Sequence, residues 1–540
     1  MSSALTLVTA AAVAAPVVLW LTGAVPSRVA NRSGPLMARL ANVLAWTAFA
    51  LALAVLAGHG FGQAQSLTLF SVDLPFDSGA FAIGVYVNAV TVIMLTLVSF
   101  VGALVSTYAR NYMAGDPAEG HFHKWLLLTL ASILTLIVAG NLLMFVLAWM
   151  ATSLSLHRLL LFYPERPAAV MAAHKKFVFS RIGDASLLIA VLLIGSTLHT
   201  LEFAGVYAAM EGLEGPLPAA LQGAAWLIVL SAALKCAQFP FHGWLLQVME
   251  APTPVSALLH AGIVNAGAFL VIRMAPIMSL SSPAMDALAV IGLVTLTVAS
   301  LVMLTQTSIK VSLAWSTSAQ MGFMLLEAGL GLYSLALLHL VAHSLYKAHA
   351  FLASGSSVDG FRAATPKFRD GGPQPWHWLV AFQGALLMAI VAGFVFGVDP
   401  VHEPALIVTG AIVAIAVAQL LLQALELEDN AALLLRASAI GALVCFGYFG
   451  LHAAFEYAIA DSLGAAAPAG GLFDLILSIA VVAVFIGLLV LQHLFMRIAP
   501  PLRQAIQVHL YNGLYVDVLV TRLITRLWPL RPAPAVQRGV

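Results

Sequence analysis

The sequence predicts an all-α polytopic membrane protein of about fifteen transmembrane helices. Three observations carry this reading. Hydrophobic residues make up 61% of the 540-residue chain and Asp, Glu, Lys and Arg only 9%, whereas a soluble domain carries about a quarter charged residues. The apolar residues gather into runs of roughly twenty, the length that crosses ~30 Å of hydrocarbon as a helix. Within the runs, polar and apolar residues do not alternate, as they would in a membrane β-barrel. So much apolar surface could not be hidden inside one water-soluble globule. A net charge of +1 with no basic stripe leaves no nucleic-acid interface.

In chain order the runs lie near 4–24, 37–58, 80–107, 125–140, 142–162, 179–198, 219–238 and 254–275, then 285–305, 309–329, 331–354, 376–397, 404–424, 432–455 and 472–496. The first lacks a basic lead and a small-residue cleavage site, so it reads as a span and not a removable signal. Gly140-Asn141 makes a tight turn between the fourth and fifth. Cys236 and Cys445 both sit in apolar runs and supply neither a disulfide framework nor a Cys-based metal site.

Orientation follows the loops that carry Lys and Arg. One set holds Arg28, Arg32, Arg39, Arg110, Lys124, Arg166, Lys175, Lys176, Arg362, Lys367, Arg369, Arg497 and Arg503. The opposite loops, 59–79, 199–218, 398–403 and 456–471, hold Asp73, Asp77, Glu202, Glu211, Glu214, Asp399, Glu403 and Asp461, with no Lys or Arg. The expectation is a bacterial inner-membrane protein with its N-terminus outside and its C-terminus cytoplasmic. Beyond Pro501, Arg503, Arg522 and Arg526 mix with Leu, Val and Ile. That pattern suits an amphipathic helix at the inner interface, and equally a docking segment for a cytoplasmic partner.

Ionisable residues inside spans cost at least ~2.5–3.5 kcal/mol each, so each asks for a reason. Lys235 lies deep in AALKCAQFPFHGW, a few residues before Pro240, which lacks an amide hydrogen and should break the helix. A break at membrane depth is tolerated where it is buried in protein or lines a wet cavity, and a desolvated lysine there can exchange a proton. The competing reading is a lysine snorkelling to the surface. His260, in TPVSALLHAGIVNAG, is a relay candidate or a core histidine. LLHLVAHSLYKAHAF sets His339, His343 and Lys347 at successive i,i+4 steps on one helix face, a pattern that reads as a proton wire. Metal or haem ligation by the two histidines competes, without an HExxH, carboxylate triad or Cys to support it. Arg181 and Asp184 are i,i+3 and could neutralise each other. Glu327 lies toward the outer end of its span, facing headgroups or water, and Lys310 near the inner edge. Glu426, Glu428 and Asp429 read as a solvated loop.

YARNYMAGDP, FVLAW…LLLFY, KKFVFSRIGDA, LKCAQFPFHGWLLQVMEAPTPVSALLHAGIVNAG, SIKVSLAWSTSAQMGFM and HLVAHSLYKAHAFLASGS together resemble the antiporter-like membrane subunits of respiratory complex I and of multisubunit cation/proton antiporters. The resemblance implies two inverted five-helix repeats, at 108–275 and 284–424, each with a broken helix. They would be flanked by N-terminal spans (1–107), C-terminal spans (432–496) and an amphipathic cytoplasmic tail (501–540). It makes Lys235 the pumping lysine of the first break. His260, His339, His343 and Lys347 become the linking chain, Arg181 and Asp184 a supporting pair, and Glu327 and Lys310 possible additions.

The departures are specific. The glutamate expected after the tryptophan of the fifth span is here Met150, and the second break, placed at 376–397, contains no lysine. With those losses the chain most resembles the membrane subunit of DAB-type inorganic carbon accumulation complexes. That resemblance implies conduction of protons or Na⁺ that drives vectorial hydration of CO₂ to bicarbonate. The chemistry would belong to a large cytoplasmic zinc-containing, β-carbonic-anhydrase-like subunit of DabA type. On this reading the chain is a transporter subunit and not an enzyme, with no cofactor or metal of its own. The alternative is an ion-pumping subunit of a complex I-like NADH:quinone oxidoreductase or a multisubunit antiporter.

Overall fold

The computed structural model describes residues 3–75, 79–356, 374–399, 403–427, 431–463, 471–495 and 498–529. Asp77, Arg362, Lys367, Arg369, Glu428, Asp429 and Arg497, which entered the charge argument, lie outside them. The chain opens with α1 (Ser3–Trp20) and α2 (Gly34–His59), followed by a hairpin of β1 (Gln65–Asp73) and β2 (Ala80–Val87). Next come α3 (Ala89–Tyr112), α4 (Glu119–Val138), α5 (Leu142–Leu160), α6 (Pro167–Leu198) and α7 (Ala219–Lys235). The middle holds α8 (Thr253–Leu258), α9 (Ala266–Arg273), α10 (Ser282–Met303), α11 (Ile309–Gly329) and α12 (Tyr333–Leu352). The last part has α13 (Pro375–Val395), α14 (Pro404–Glu426), α15 (Ala431–Leu463), α16 (Leu472–Leu494), α17 (Pro500–Tyr511) and α18 (Val516–Leu527).

Among the described residues, twelve helices are long and apolar enough to cross a membrane, with α8 and α9 counted together as Thr253–Arg273. The shorter apolar α7 and the more polar α11 and α12 run among them. The protein is a multi-pass α-helical membrane protein. Its outward faces are apolar: Phe394 is 85% and Leu443 72% exposed, which only a lipid solvent makes inexpensive. Helices approach through small residues. Ala38, Ala41, Ala45, Ala48 and Ala52 form a fully buried stripe on α2. A Cβ built on Gly292 of α10 would lie 2.5 Å from the Gly322 carbonyl of α11.

The structure corrects three expectations. The run at 80–107 is not one helix. Residues 80–87 form β2, pairing antiparallel with β1 from Gln65↔Val87 to Asp73↔Ala80. The β-branched and aromatic residues of AFAIGVYV favour a strand, and α3 starts only where the Asn88 side chain caps it by accepting from Thr91 N at 3.0 Å. Lys175 and Lys176 are not loop residues: α6 begins at Pro167 and buries both. The break placed at 376–397 is absent, because α13 is continuous from Pro375 to Val395, with its only proline in the first turn, where a missing amide hydrogen costs nothing.

Two ends of the bundle are distinct. At the hairpin end, Val85 bridges Ala139 and Asn141 bridges Glu202. At the tail end, α17 and α18 fold back against the inter-helix turns, Gln306 Nε2 donating to the Tyr511 carbonyl at 3.2 Å.

Candidate functional site

The interruption after α7 is where the proline argument places it. α7 ends at Lys235, Ala237 turns left-handed at φ +50°, and a short helix resumes at Gly243–Gln247. Backbone groups freed by the break find partners on neighbouring helices. Phe239 N–H donates to Thr295 Oγ1 at 3.0 Å, and Ser318 Oγ donates to the Ala237 carbonyl at 3.4 Å. Irregular backbone at this depth is therefore satisfied by protein. The helix dipole favours a cation at its C-terminal end, and that is where Lys235 stands.

Lys235 is 7% exposed, so it does not snorkel to a surface. Its ammonium lies 4.2 Å from the centre of the Trp149 ring and donates to the Trp149 carbonyl at 3.4 Å. Lys176, also buried, donates to the Ser153 carbonyl and, at 2.8 Å, to Ser153 Oγ. Asp184, 3% exposed and ion-paired with Arg181, is a buried carboxylate on the same helix as Lys176. Sequence reasoning missed Lys176, although the double lysine of KKFVFSRIGDA was in view; only the length of α6 shows that it is buried.

A second group lies around α12. The Thr253–Arg273 span carries a π-turn over Leu259–Ile263 that contains His260, a local widening frequent at functional sites. His260 is fully buried, stacks on Phe351 at 4.4 Å, and has no hydrogen-bond partner for either ring nitrogen. His343, 5% exposed, is likewise unpartnered. Lys347 donates to Ser316 Oγ at 2.8 Å and to the Leu313 carbonyl at 3.2 Å. The His339 and His343 rings lie 6.4 Å apart, and α12, which carries them and Lys347, packs against the π-turn that carries His260.

His339 ends the file between two oxygens, Glu327 Oε2 at 2.8 Å from Nδ1 and Gln320 Oε1 at 2.6 Å from Nε2. An imidazolium would donate to both. Glu327 is only 3% exposed, so it does not face headgroups or water. Lys310 stands apart, donating to Thr253 Oγ1 at 3.0 Å. The two groups meet through the span that carries His260. Cys236 Sγ donates to the Val264 carbonyl at 3.1 Å, and Asn265 Nδ2 donates to Ser344 Oγ at 2.8 Å. No set of three or more His, Cys, Asp and Glu side chains arranged to hold a metal ion occurs among the described residues.

Buried titratable side chains thus fall into two helix-bound groups, and the chain can be set beside known proteins. The family description "NADH:quinone oxidoreductase/Mrp antiporter, TM" matches residues 139–370, and "NADH-Ubiquinone oxidoreductase (complex I), chain 5 N-terminus" matches 74–123. The probable inorganic carbon transporter subunit DabB2 of Halothiobacillus neapolitanus is 46% identical over 489 residues, 90% of this chain and 88% of that protein. The chain belongs to the DabB family.

A second member, the probable inorganic carbon transporter subunit DabB of Hydrogenovibrio crunogenus, is 40% identical over 82% of this chain and 83% of its own length. NADH-quinone oxidoreductase subunit L of Mycobacterium tuberculosis is 38% identical over 54% of this chain and 46% of that one. Among solved structures, a chain of the Mrp complex from Dietzia sp. DQ12-45-1b superposes with a TM-score of 0.56 at 21% identity, covering 99% of this chain and 64% of that one. The last likeness is one of fold.

Proposed function

We propose that the chain is the ion-conducting membrane subunit of an inorganic carbon accumulation complex, coupling proton flow to CO₂ hydration in a cytoplasmic zinc-containing partner. The observation that carries this is similarity along nearly the whole chain to the DabB subunits, 46% over 90% of its length. The buried groups supply the conduction. Lys176 and Lys235 are both buried, on the packed helices α6 and α7, and α6 also carries the buried Asp184 paired with Arg181. Protons on the two lysines therefore repel, and loading one favours release from the other. His260, Lys347, His343 and His339 carry the proton along the second group to Glu327. Each proton crossing contributes about 2.3 kcal/mol per 100 mV, available to bias a two-state partner. In this reading the chain sits in the bacterial inner membrane with the tail end cytoplasmic.

The test is Lys235→Ala in cells that depend on the complex. Expected is loss of bicarbonate accumulation with the complex still assembled; normal accumulation in a well-expressed variant would overturn the reading. A second reading, an ion-pumping subunit of a complex I-like oxidoreductase or antiporter, is favoured by the 38% identity to subunit L. Against it stand Met150 and the unbroken, lysine-free α13. Affinity purification separates the two: a large soluble zinc protein supports the first, a set of quinone oxidoreductase chains the second.

A further inference from the structure

Glu327 raises a question the file of histidines leaves open. A buried carboxylate at the end of a relay needs an onward route to water, and α13, which would have supplied a lysine, has none. The onward groups lie on α15, a helix outside the file. His452 is 5% exposed, and its helix packs against α12, which carries both Ser334 and the Glu327-bound His339. Its Nδ1 lies 3.4 Å from Ser334 Oγ, at the start of α12, and its Nε2 lies 3.5 Å from a carboxylate oxygen of Glu456. The Glu456 side chain is 55% exposed. These groups sit at the hairpin end: Glu327 near the end of α11 and Ser334 at the start of α12.

We infer that His452 and Glu456 form the outer mouth of the proton path, joining Glu327 to the aqueous surface at the hairpin end. The inference rests on the conduction reading above and assigns this chain residues that reading does not use. In one direction Glu456 takes a proton from water and passes it to His452 Nε2. The imidazolium then gives its Nδ1 proton to Ser334 Oγ, whose hydroxyl releases its own proton onward to Glu327. One proton enters at the surface, one reaches Glu327, and a ring flip restores the starting tautomer. Flow the other way reverses each step. The exposed carboxylate collects protons, the buried imidazole carries them past the apolar rim, and the buried carboxylate receives them.

The experiment uses the whole complex, this chain with its natural partner, reconstituted in liposomes that trap a pH-sensitive dye. Proton flux is driven by a potassium diffusion potential. Wild type, Lys235→Ala, His452→Ala and Glu456→Gln are compared. Expected is loss of flux in Lys235→Ala, a drop of about tenfold or more in His452→Ala, and a smaller drop in Glu456→Gln. Imidazole added on the hairpin side should restore flux to His452→Ala but not to Lys235→Ala, a rescue that a merely structural role would not show. Wild-type flux in both His452→Ala and Glu456→Gln, with Lys235→Ala inactive, overturns the mouth and leaves the conduction reading standing. Wild-type flux in Lys235→Ala overturns the conduction reading itself. If His452→Ala fails to assemble, Glu456→Gln on the exposed face decides, and unchanged flux there overturns the inference.

Discussion

The ion pair between the tail and α6 gives the sharpest quantitative expectation. Lys175 is buried to 0% side-chain exposure, and its ammonium meets Asp517 of α18 at 2.7 and 2.9 Å. Gln247 adds a bond to Asp517 Oδ2 at 3.1 Å. Gly243 makes room for the carboxylate, since a Cβ there would overlap the Asp517 side chain. Removing one partner of a buried pair costs about 3–5 kcal/mol, because the other charge is left unpaired. The Asp517 side chain is 25% exposed, so Asp517→Asn should fall at the lower end, ~3 kcal/mol. That is roughly a hundredfold in the docking equilibrium of α18. The assay is hydrogen exchange over residues 516–527 in the detergent-solubilised chain, where protection should drop by up to about that factor. Replacing both partners, Lys175→Met with Asp517→Leu, should restore most of the protection, since an apolar pair of similar volume is often neutral. Unchanged protection in Asp517→Asn, or a double variant as open as the single one, would refute the argument.

Other expectations concern the frame and the first charge group. Arg273 is 1% exposed, donates to Asn88 Oδ1 at 3.0 Å and Thr91 Oγ1 at 2.9 Å, and lies 4.7 and 4.5 Å from the centres of the neighbouring Tyr86 and Phe203 rings. Arg273→Met should lower stability by about 3 kcal/mol, read as an earlier thermal midpoint in detergent; an unshifted midpoint would mean the guanidinium is dispensable. Gly322→Leu should separate α10 from α11, because a Cβ already meets the Gly292 carbonyl at 2.6 Å. Its check is expression and monodispersity, and a well-behaved variant would show that the crossing adapts. Asp184→Asn removes the buried carboxylate paired with Arg181 on the helix that also carries Lys176, and proton flux in liposomes should fall about tenfold or more while the complex still assembles. Flux equal to wild type would remove Asp184 from the path.

The sequence determined a great deal here, because membrane solvent is a blunt selector. Runs that cross the membrane had to be helices, and Pro240, a few residues after Lys235, had to interrupt one; the first follows from backbone hydrogen bonds that lipid cannot satisfy and the second from the amide hydrogen that proline lacks. The i,i+4 spacing of His339, His343 and Lys347 likewise needed no fold to place them on one face of α12. Where a local rule had a rival, the sequence was silent. Residues 80–87 are as apolar as a span, and only their pairing with β1 and the Asn88 cap make them a strand.

Contacts between helices distant in the chain were decided by the tertiary structure alone. Asp517 meeting Lys175 across 342 positions, Glu327 meeting His339 and Ser334 meeting His452 depend on which helices are neighbours. Hydropathy counts spans but says nothing of their order in space. That order is fixed by small-residue crossings and buried polar partners, whose energies are summed over the whole bundle and not written in any one segment.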